Sequence, residues 1–157
     1  MREIKFRGLR PDGQGWVYGY YGIKGFDTDI ERHCIMQSTL NSGSVDSFYF
    51  TDIDVLPESV GQFTGLLHKG KTEVYQDDIF YDEIEHDHGD ERLFYVITWI
   101  NERASFAFLT AQERKDYDEC GLSAIERDFE GFYYELDQDS LDKMHSKSKI
   151  HENPELL

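Results

Sequence analysis

The sequence predicts a mainly β fold of small barrel or sandwich type, with one or two short helices. Aromatic residues make up 15% of the 157 residues, and aromatic side chains fit the pleated surface of strands. About nine short strand patterns follow one another, with turn residues between them. We expect one domain over 1–157, in which N-terminal strands (1–56) pack on a barrel-like core (59–136) that precedes a C-terminal tail (137–157).

The N-terminal strands form a predicted hairpin and a second pair. Apolar and charged residues alternate over 3–9, and the interleaved charges of MREIKFRGLR are typical of an edge strand. The turn sequence PDGQG then leads into the aromatic run 16–23. Two further strands are predicted over 34–38 and 47–56, on either side of the loop NSGS.

The barrel-like core begins with strand patterns over 59–67 and 72–85, which flank the turn HKGK (68–71). The most hydrophobic run, RLFYVITWI (92–100), predicts a central strand. The segment 104–110 is expected to pair back onto it through the NER turn.

The sequence after residue 110 changes character. AQERKDYDECG (111–121) is strongly charged and predicts a helix or a loop excursion. In the next segment, 122–131, Ser123 and Glu126 have the spacing of a capping box, which predicts a helix. The remaining segments are expected as a strand over 131–136 and one or two helical turns over 139–147.

The charge of the chain argues against two classes of partner. Acidic residues number 32 and basic residues 16, for a formal net charge of −16. Such a surface repels the phosphates of nucleic acids and anionic lipids, so we expect no direct nucleic-acid binding. No apolar run approaches the roughly 20 residues that a bilayer span requires, and the start MREIKFR lacks the apolar segment of a signal peptide. We therefore expect no membrane association.

The two cysteines, Cys34 and Cys120, belong to no metal-binding or redox motif. We expect both to be free, buried thiols in a reducing cytoplasm. His33 lies beside Cys34, but adjacent residues of a strand face opposite sides, so a Cys–His nucleophile is disfavoured. The sequence also lacks the GxSxG, HExxH, P-loop and GxGxxG motifs, and no catalytic residue or cofactor is expected.

Two other segments bear on possible binding. His86 and His88 lie in the acidic segment 77–91, and imidazole with carboxylate suits zinc, manganese or iron. A solvated acidic loop is the simpler interpretation of that segment. The aromatic run Trp16, Tyr18, Tyr20 and Tyr21 could stack bases or sugars, but alternation favours half of it as core and half as an oligomer interface.

Three motifs in order along the chain resemble the YopX family of phage and prophage proteins. The first is MREIKFR at the start. The second is GQFTGL (61–66) followed by EVYQDDI (73–79), and the third is IHENPEL (150–156). The resemblance implies a mainly β fold with an SH3-like barrel, an origin in a phage or prophage, and no established activity. Asp77 departs from the family pattern, which has glycine in this turn.

The second motif raises the question of what its polar residues do. Gly65 and Gly70 suit a close approach and a turn, Tyr75 and Ile79 suit the core, and Asp78 suits acceptance of backbone N–H groups. This structural interpretation is favoured. The alternative is a ligand-binding site that is formed by Gln62, Thr64, Tyr75 and Asp78.

We therefore expect a non-catalytic protein-interaction module in the bacterial cytoplasm, which forms a homo-oligomer and binds a host or phage protein. One alternative is an acidic DNA mimic that inhibits a host DNA-binding protein, because a net charge of −16 steers a chain toward basic surfaces. Another is a metal-dependent enzyme that uses the His86/His88 loop.

Overall fold

Antiparallel strands dominate the computed structural model of the chain, and the mainly β prediction is confirmed. The structure describes residues 3–25, 31–40, 48–84, 91–128, 134–150 and 152. The elements divide between a first unit, Met1–Phe63, and a second unit, Thr64–Leu157. A mainly β architecture is compatible with an SH3-like barrel, which stays a prediction, as does the single domain over 1–157.

The first unit contains four strands and the start of a fifth. These are β1 (Phe6–Leu9), β2 (Trp16–Lys24), β3 (Arg32–Leu40), β4 (Phe48–Asp54) and β5 (Gly61–His68). Antiparallel pairing joins them in the order β4-β3-β2-β1-β5. β1 therefore has a neighbour on each side, and its prediction as an edge strand is wrong. A 3₁₀ turn, Pro57–Ser59, connects β4 to β5.

The core of the first unit lies on one face of these strands. Val17, Ile35 and Val55 are buried, and Phe6 and Tyr21 pack against them. Alternation along β2 sends Val17 and Tyr21 to this face and leaves the neighbouring tyrosines on the other face. Of the four aromatic residues of the run, only Tyr21 packs against this core, so the prediction that half of the run is core is wrong, and the oligomer interface stays a prediction.

β2 changes partner in its middle. Residues 16–19 pair with β1, whereas residues 20–24 pair with β3. Gly19 stands at the change, and a Cβ atom placed there would lie 2.3 Å from the carbonyl oxygen of Met36. Only glycine permits this approach of the two backbones.

The second unit is built on a five-stranded sheet. The strands of this sheet are β7 (Asp78–Ile84), β8 (Glu91–Ile100), β9 (Ser105–Leu109), β10 (Tyr134–Glu135) and β11 (His145–Lys149). The short strand β6 (Thr72–Tyr75) precedes them and pairs with β5 instead. The sheet order is β10-β9-β8-β7-β11, so β8 is central, as its apolar run predicts. Within the described ranges, three helices accompany the sheet: α1 (Ala111–Cys120), α2 (Leu122–Asp128) and α3 (Gln138–Lys143).

Buried apolar clusters lie on both faces of the five-stranded sheet around β8. On one face, Ile97 of β8 and Phe108 of β9 pack in a cluster that includes Leu141 of α3. On the other face, Ile100 of β8 packs in a cluster that includes Tyr117 of α1. Burial on two sides explains why the sequence of β8 is almost continuously apolar instead of alternating.

Tight turns divide the strands at positions with positive φ. Lys69 (φ 50°) and Gly70 (φ 66°) form the turn between β5 and β6, which matches a type I′ hairpin. Asp77 (φ 66°) occupies the turn between β6 and β7, so the segment predicted as one strand over 72–85 is two strands. Aspartate takes the left-handed conformation here in place of glycine.

The start of α2 corrects one sequence prediction. The capping box belongs to α1: Thr110 Oγ1 accepts the backbone N–H of Glu113, and the Glu113 carboxylate accepts that of Thr110 at 2.7 Å. Ser123 is instead the second residue of α2, because α2 begins directly after Gly121 ends α1. The prediction that Ser123 caps the start of this helix is therefore wrong, and the side chain of Glu126 lies outside the described part of the chain.

The segment that was expected to be a C-terminal tail contributes to the sheet. α3 ends at Lys143, the backbone of Met144 is extended, and His145–Lys149 then pair with β7. Of the segment 139–147, which was predicted as one or two helical turns, only the part within α3 is therefore helical. β11 has no apolar alternation, since its sequence is HSKSK, so periodicity could not reveal it.

A partly buried ion pair attaches α1 to the turn before β7. Arg114 donates to Asp77 Oδ1 at 3.0 Å and to Thr98 Oγ1 at 3.1 Å. The carboxylates of Asp77 and Asp118 raise the pKa of Arg114, although burial opposes them as the largest single effect. Asp77 also donates its N–H to Ile97 and accepts the N–H of Ile150, so one residue joins several elements.

The helices of the described residues are short. They contain 10, 7 and 6 residues, and none is long and apolar enough to cross a membrane.

Replacement of Gly19 by alanine should strongly destabilise the first unit. The new Cβ would meet the backbone carbonyl of Met36, which can move only with its strand, so we expect a loss of about 1–3 kcal/mol or more. Urea unfolding measures the loss. The matched control is Gly22→Ala in the same strand, whose Cβ would meet only the flexible end of Met36 at 3.0 Å. Equal stabilities of the two variants would contradict the account.

Removal of the Arg114 charge should destabilise the second unit, because the partly buried Asp77 carboxylate would lose its charged partner. We expect Arg114→Met to cost about 3 kcal/mol, which urea unfolding measures. The control is Arg92→Met, which breaks an exposed pair with Glu83 and should cost less than about 1 kcal/mol. Asparagine also adopts the left-handed conformation of this turn, so Asp77→Asn removes the charge and keeps the backbone. In that background, Arg114→Met should reduce the free energy of unfolding clearly less, because no buried carboxylate loses its partner. An unchanged cost would show that the charge pair is unimportant.

Candidate functional site

A groove opens in the first unit where β2 changes partner. Three segments line it: residues 3–5 before β1, residues 18–20 of β2 and residues 36–38 of β3. We call this the aromatic groove, and its volume is about 380 Å³. The pairing between β2 and β3 ends at Tyr20 and Met36, and from there β3 continues with β4 alone. The divergence of the two strands creates the space.

Large apolar side chains are exposed around the aromatic groove. Ile4 is 60% exposed, Tyr20 57% and Tyr18 38%. Phe50 of β4 is 62% exposed and lies directly opposite Ser38, which lines the groove. Side chains at directly opposed positions share a face of the sheet, so Phe50 extends the apolar surface. Exposed apolar side chains that cluster in this way are typical of an interaction surface, whereas single scattered ones are not.

Polar groups of the groove are held by local interactions. Gln37 donates from Nε2 to the carbonyl oxygen of Tyr18 at 2.9 Å, which links β3 to β2 across the divergence. Lys5 Nζ lies 5.8 Å from the centre of the Tyr18 ring. A cation at this distance over a ring face is attracted by the ring quadrupole, so Lys5 helps to orient Tyr18.

The cations of the N-terminal segment stack on the aromatic side chains of β2. The guanidinium of Arg7 lies 4.8 Å from the centre of the Trp16 ring, and Arg7 is only 2% exposed. With Lys5 over Tyr18, two charges of MREIKFRGLR face rings of the same sheet. Two of the four cations of this segment thus contact aromatic rings of the sheet.

His33 and Cys34 point in opposite directions, as the alternation of a strand predicts. The ring of His33 stacks beside Tyr21 and its Nδ1 lies within hydrogen-bond distance of the Tyr21 hydroxyl. Cys34 instead donates from Sγ to the carbonyl oxygen of Gly22 at 3.4 Å. Burial, and then the charge of Asp52, raise the pKa of the Cys34 thiol. A thiol of this kind is a poor nucleophile.

The cysteines differ in exposure. Cys34 is buried, but Cys120 is exposed at the end of α1. The expectation that both thiols are buried is therefore wrong for Cys120. It is the last residue of α1.

The four residues predicted from the GQFTGL and EVYQDDI motifs occupy different places. Gln62 is half-buried in the first unit, opposite Phe6 of β1. Thr64 is buried in the second unit and donates to the carbonyl oxygen of Val74 at 2.9 Å. Asp78 accepts the backbone N–H of Tyr75 at 2.8 Å, and the Tyr75 hydroxyl donates to Glu73. Three of the four thus serve the β5–β6–β7 turns, while the ligand-binding alternative stays a prediction.

The predicted metal residues His86 and His88 lie outside the described residues. Within the described part of the chain, no three His, Cys, Asp or Glu side chains are grouped so that they could hold a metal ion. The metal site stays a prediction from the sequence.

Sequence reasoning identified the aromatic run but not the groove. The alternation of the run predicts a core half and an interface half, yet nothing in its spacing shows that β3 leaves β2 at this point. The available signal was Gly19, which stands between two exposed tyrosines inside a strand. A glycine in this position indicates a close backbone approach or a bulge.

Comparisons with known proteins add no family to this geometry. No protein-family model matches the chain, and no curated protein matches it. The YopX resemblance therefore stays a prediction from its three motifs, and any function must be argued from the groove and the charges.

Thiol labelling tests the assignment of the two cysteines. In the native protein at neutral pH, we expect a thiol reagent to modify Cys120 rapidly and Cys34 only after denaturant is added. The control is Cys120→Ser, in which rapid labelling should disappear. Rapid labelling of Cys34 in that variant would show that the first unit opens readily or that Cys34 is not buried.

Proposed function

We propose that the protein is a non-catalytic interaction module that binds an extended segment of a basic partner protein in the aromatic groove. The observation that carries the proposal is the exposure of Ile4, Tyr18 and Tyr20 around a groove of about 380 Å³. Tyrosine is enriched at binding hot spots because its ring supplies a large contact area while its hydroxyl stays hydrated.

An extended peptide fits the groove better than a compact ligand. The groove is lined by consecutive residues of two strands, 18–20 and 36–38, and these include both tyrosines. Pairing between β3 and β2 ends at Met36, so the following residues of β3 offer backbone groups beside the groove. A peptide that lies along them would combine backbone hydrogen bonds with apolar side chains against the rings.

The charge of the chain defines the partner. Residues 1–63 carry six Lys and Arg against nine Asp and Glu, whereas residues 64–157 carry ten against 23. The net charge is therefore −3 in the first unit and −13 in the second. Such a field attracts basic proteins from a distance and increases the rate of association, while the groove supplies short-range contacts.

The biological setting is part of the same proposal and rests on the YopX resemblance. We infer a phage or prophage accessory protein of the bacterial cytoplasm, whose partner is a host or phage protein. Self-association through the exposed aromatic side chains would give the homo-oligomer that the sequence predicts.

Peptide selection tests the proposed site. Random linear peptides are displayed and selected on the purified protein, and the affinity of the enriched peptides is measured by fluorescence anisotropy. Tyr20→Ser should weaken binding at least about tenfold because it removes a central aromatic contact. The matched control is Ile84→Ser, an exposed apolar residue of the second unit, which should change affinity by less than about twofold.

The peptides themselves provide a second criterion. Their sequences should be enriched in Lys or Arg together with apolar residues, and their affinity should fall moderately as salt is raised. The proposal is wrong if no peptide is enriched, or if the enriched peptides bind Tyr20→Ser as tightly as the unchanged protein.

A second candidate function is the acidic DNA mimic, which the charge of −13 in the second unit favours. A mimic would displace duplex DNA from a DNA-binding protein, and its affinity would collapse with salt. Competition measured in gel shifts distinguishes the two candidates: a mimic keeps its activity in Tyr20→Ser, whereas a groove-dependent module loses it. The metal-dependent enzyme based on His86 and His88 has no support from the described residues.

A further inference from the structure

A second, smaller cavity lies wholly within the second unit. Its volume is about 220 Å³. The sheet contributes Asp82, Tyr95 and Phe108 to its lining. Ser140 and Lys143 of α3 and Met144, which follows α3, complete it. This volume is below the range of about 300–1,000 Å³ that is usual for drug-sized ligands, so the cavity suits a smaller molecule.

The cavity is lined by two opposite charges that do not pair with each other. Asp82 accepts the backbone N–H of its neighbour Glu83 at 3.0 Å. Within the described part of the chain, neither Asp82 nor Lys143 forms an ion pair within 4.0 Å. The next acidic residue of β7, by contrast, is paired: Glu83 accepts from Arg92. A ligand that carries both charges could satisfy Asp82 and Lys143 together.

The floor of the cavity is apolar and firmly held. Tyr95 and Phe108 are buried and meet edge to face, with ring centres 6.1 Å apart. Phe108 also packs edge to face on Phe80 in the same cluster. Met144 is half-buried beside them. A thioether and two rings form a surface that accepts an apolar side chain.

We propose that this cavity binds a small zwitterion, a free α-amino acid with an apolar side chain. The ammonium group of the ligand pairs with Asp82, and its carboxylate pairs with Lys143. The side chain of the ligand lies against Phe108 and Met144. Ser140 donates its hydroxyl to Asp137 at 2.8 Å, and this contact holds the first turn of α3 in place beside the site.

Titration with single amino acids tests the proposal on the full chain. L-leucine, L-methionine and L-phenylalanine are each titrated while amide chemical shifts are recorded by NMR. At least one should bind, with the largest shifts at Asp82, Tyr95 and residues 140–144. Its N-acetyl derivative and its carboxamide should each bind at least about tenfold more weakly, because each loses one charge.

Two variants assign each charge of the ligand to a residue. Asp82→Asn should weaken binding of the amino acid at least about tenfold. The variant should also bind the amino acid and its N-acetyl derivative with equal affinity, because the partner of the ammonium group is gone. Lys143→Gln should likewise weaken binding of the amino acid at least about tenfold, and it should bind the amino acid and its carboxamide with equal affinity. The controls are Glu83→Gln and Asp139→Asn, which change neighbouring charges of β7 and α3 outside the cavity lining and should leave affinity within about twofold.

Several results would overturn the inference. They are the absence of shifts with all three amino acids, equal binding of the derivatives, or unchanged affinity in both Asp82→Asn and Lys143→Gln. Asp82 and Lys143 are exposed residues whose replacement should not prevent folding, which thermal unfolding of each variant verifies. Loss of amino-acid binding would leave the peptide proposal for the aromatic groove untouched.

Discussion

The close approach of Gly19 to the carbonyl oxygen of Met36 determines the architecture of the first unit. Because no side chain stands at position 19, the backbone of β3 can come within 2.3 Å of the place that a Cβ would occupy. β2 can therefore pair with β1 through residues 16–19 and with β3 through residues 20–24. The space left by this exchange of partners is the aromatic groove, so the candidate site follows from one glycine.

The second unit follows a different principle, burial of its sheet on both faces. β8 supplies Ile97 to one apolar cluster and Ile100 to the other, which leaves no face of the strand for solvent. Arg114 then joins α1 to the turn at Asp77, beside the central strand. The interior is thus specified by packing, while a polar link defines where the helix attaches.

The charges of the chain serve distinct purposes in the two units. In the first unit, Arg7 stacks on Trp16 and Lys5 stacks on Tyr18, so cations stabilise the aromatic face that borders the groove. In the second unit, 23 acidic residues against ten basic ones create a strongly negative surface. Under the proposed function, long-range attraction and short-range recognition would be divided between different parts of the chain, an arrangement that would favour fast association with basic partners.

Sequence reasoning was most successful where a single element carries its own pattern. The apolar run of β8 and the glycine turn after His68 were both readable from residue types. Prediction was wrong where tertiary pairing decides the outcome. β11 is polar throughout and becomes a strand only because β7 offers it a partner, and β1 is interior although its charges are typical of an edge.

The candidate sites were harder to predict than the fold, for a physical reason. A motif such as EVYQDDI is visible in the sequence, and its Tyr75–Asp78 hydrogen bond could be anticipated from local chemistry. A groove between diverging strands depends on where pairing stops, and no short motif records that point. The cavity that is lined by Asp82 and Lys143 combines residues 61 positions apart, which the sequence alone does not bring together.

The most direct test of the central claim is to locate the bound peptide. Amide chemical shifts of the protein are mapped while a selected peptide is added. If the exchange of strand partners at Gly19 creates the binding site, the largest shifts will occur at residues 3–5, 18–20 and 36–38. Shifts that are confined to the second unit, with the groove unaffected, would contradict the account and place recognition on the acidic surface instead.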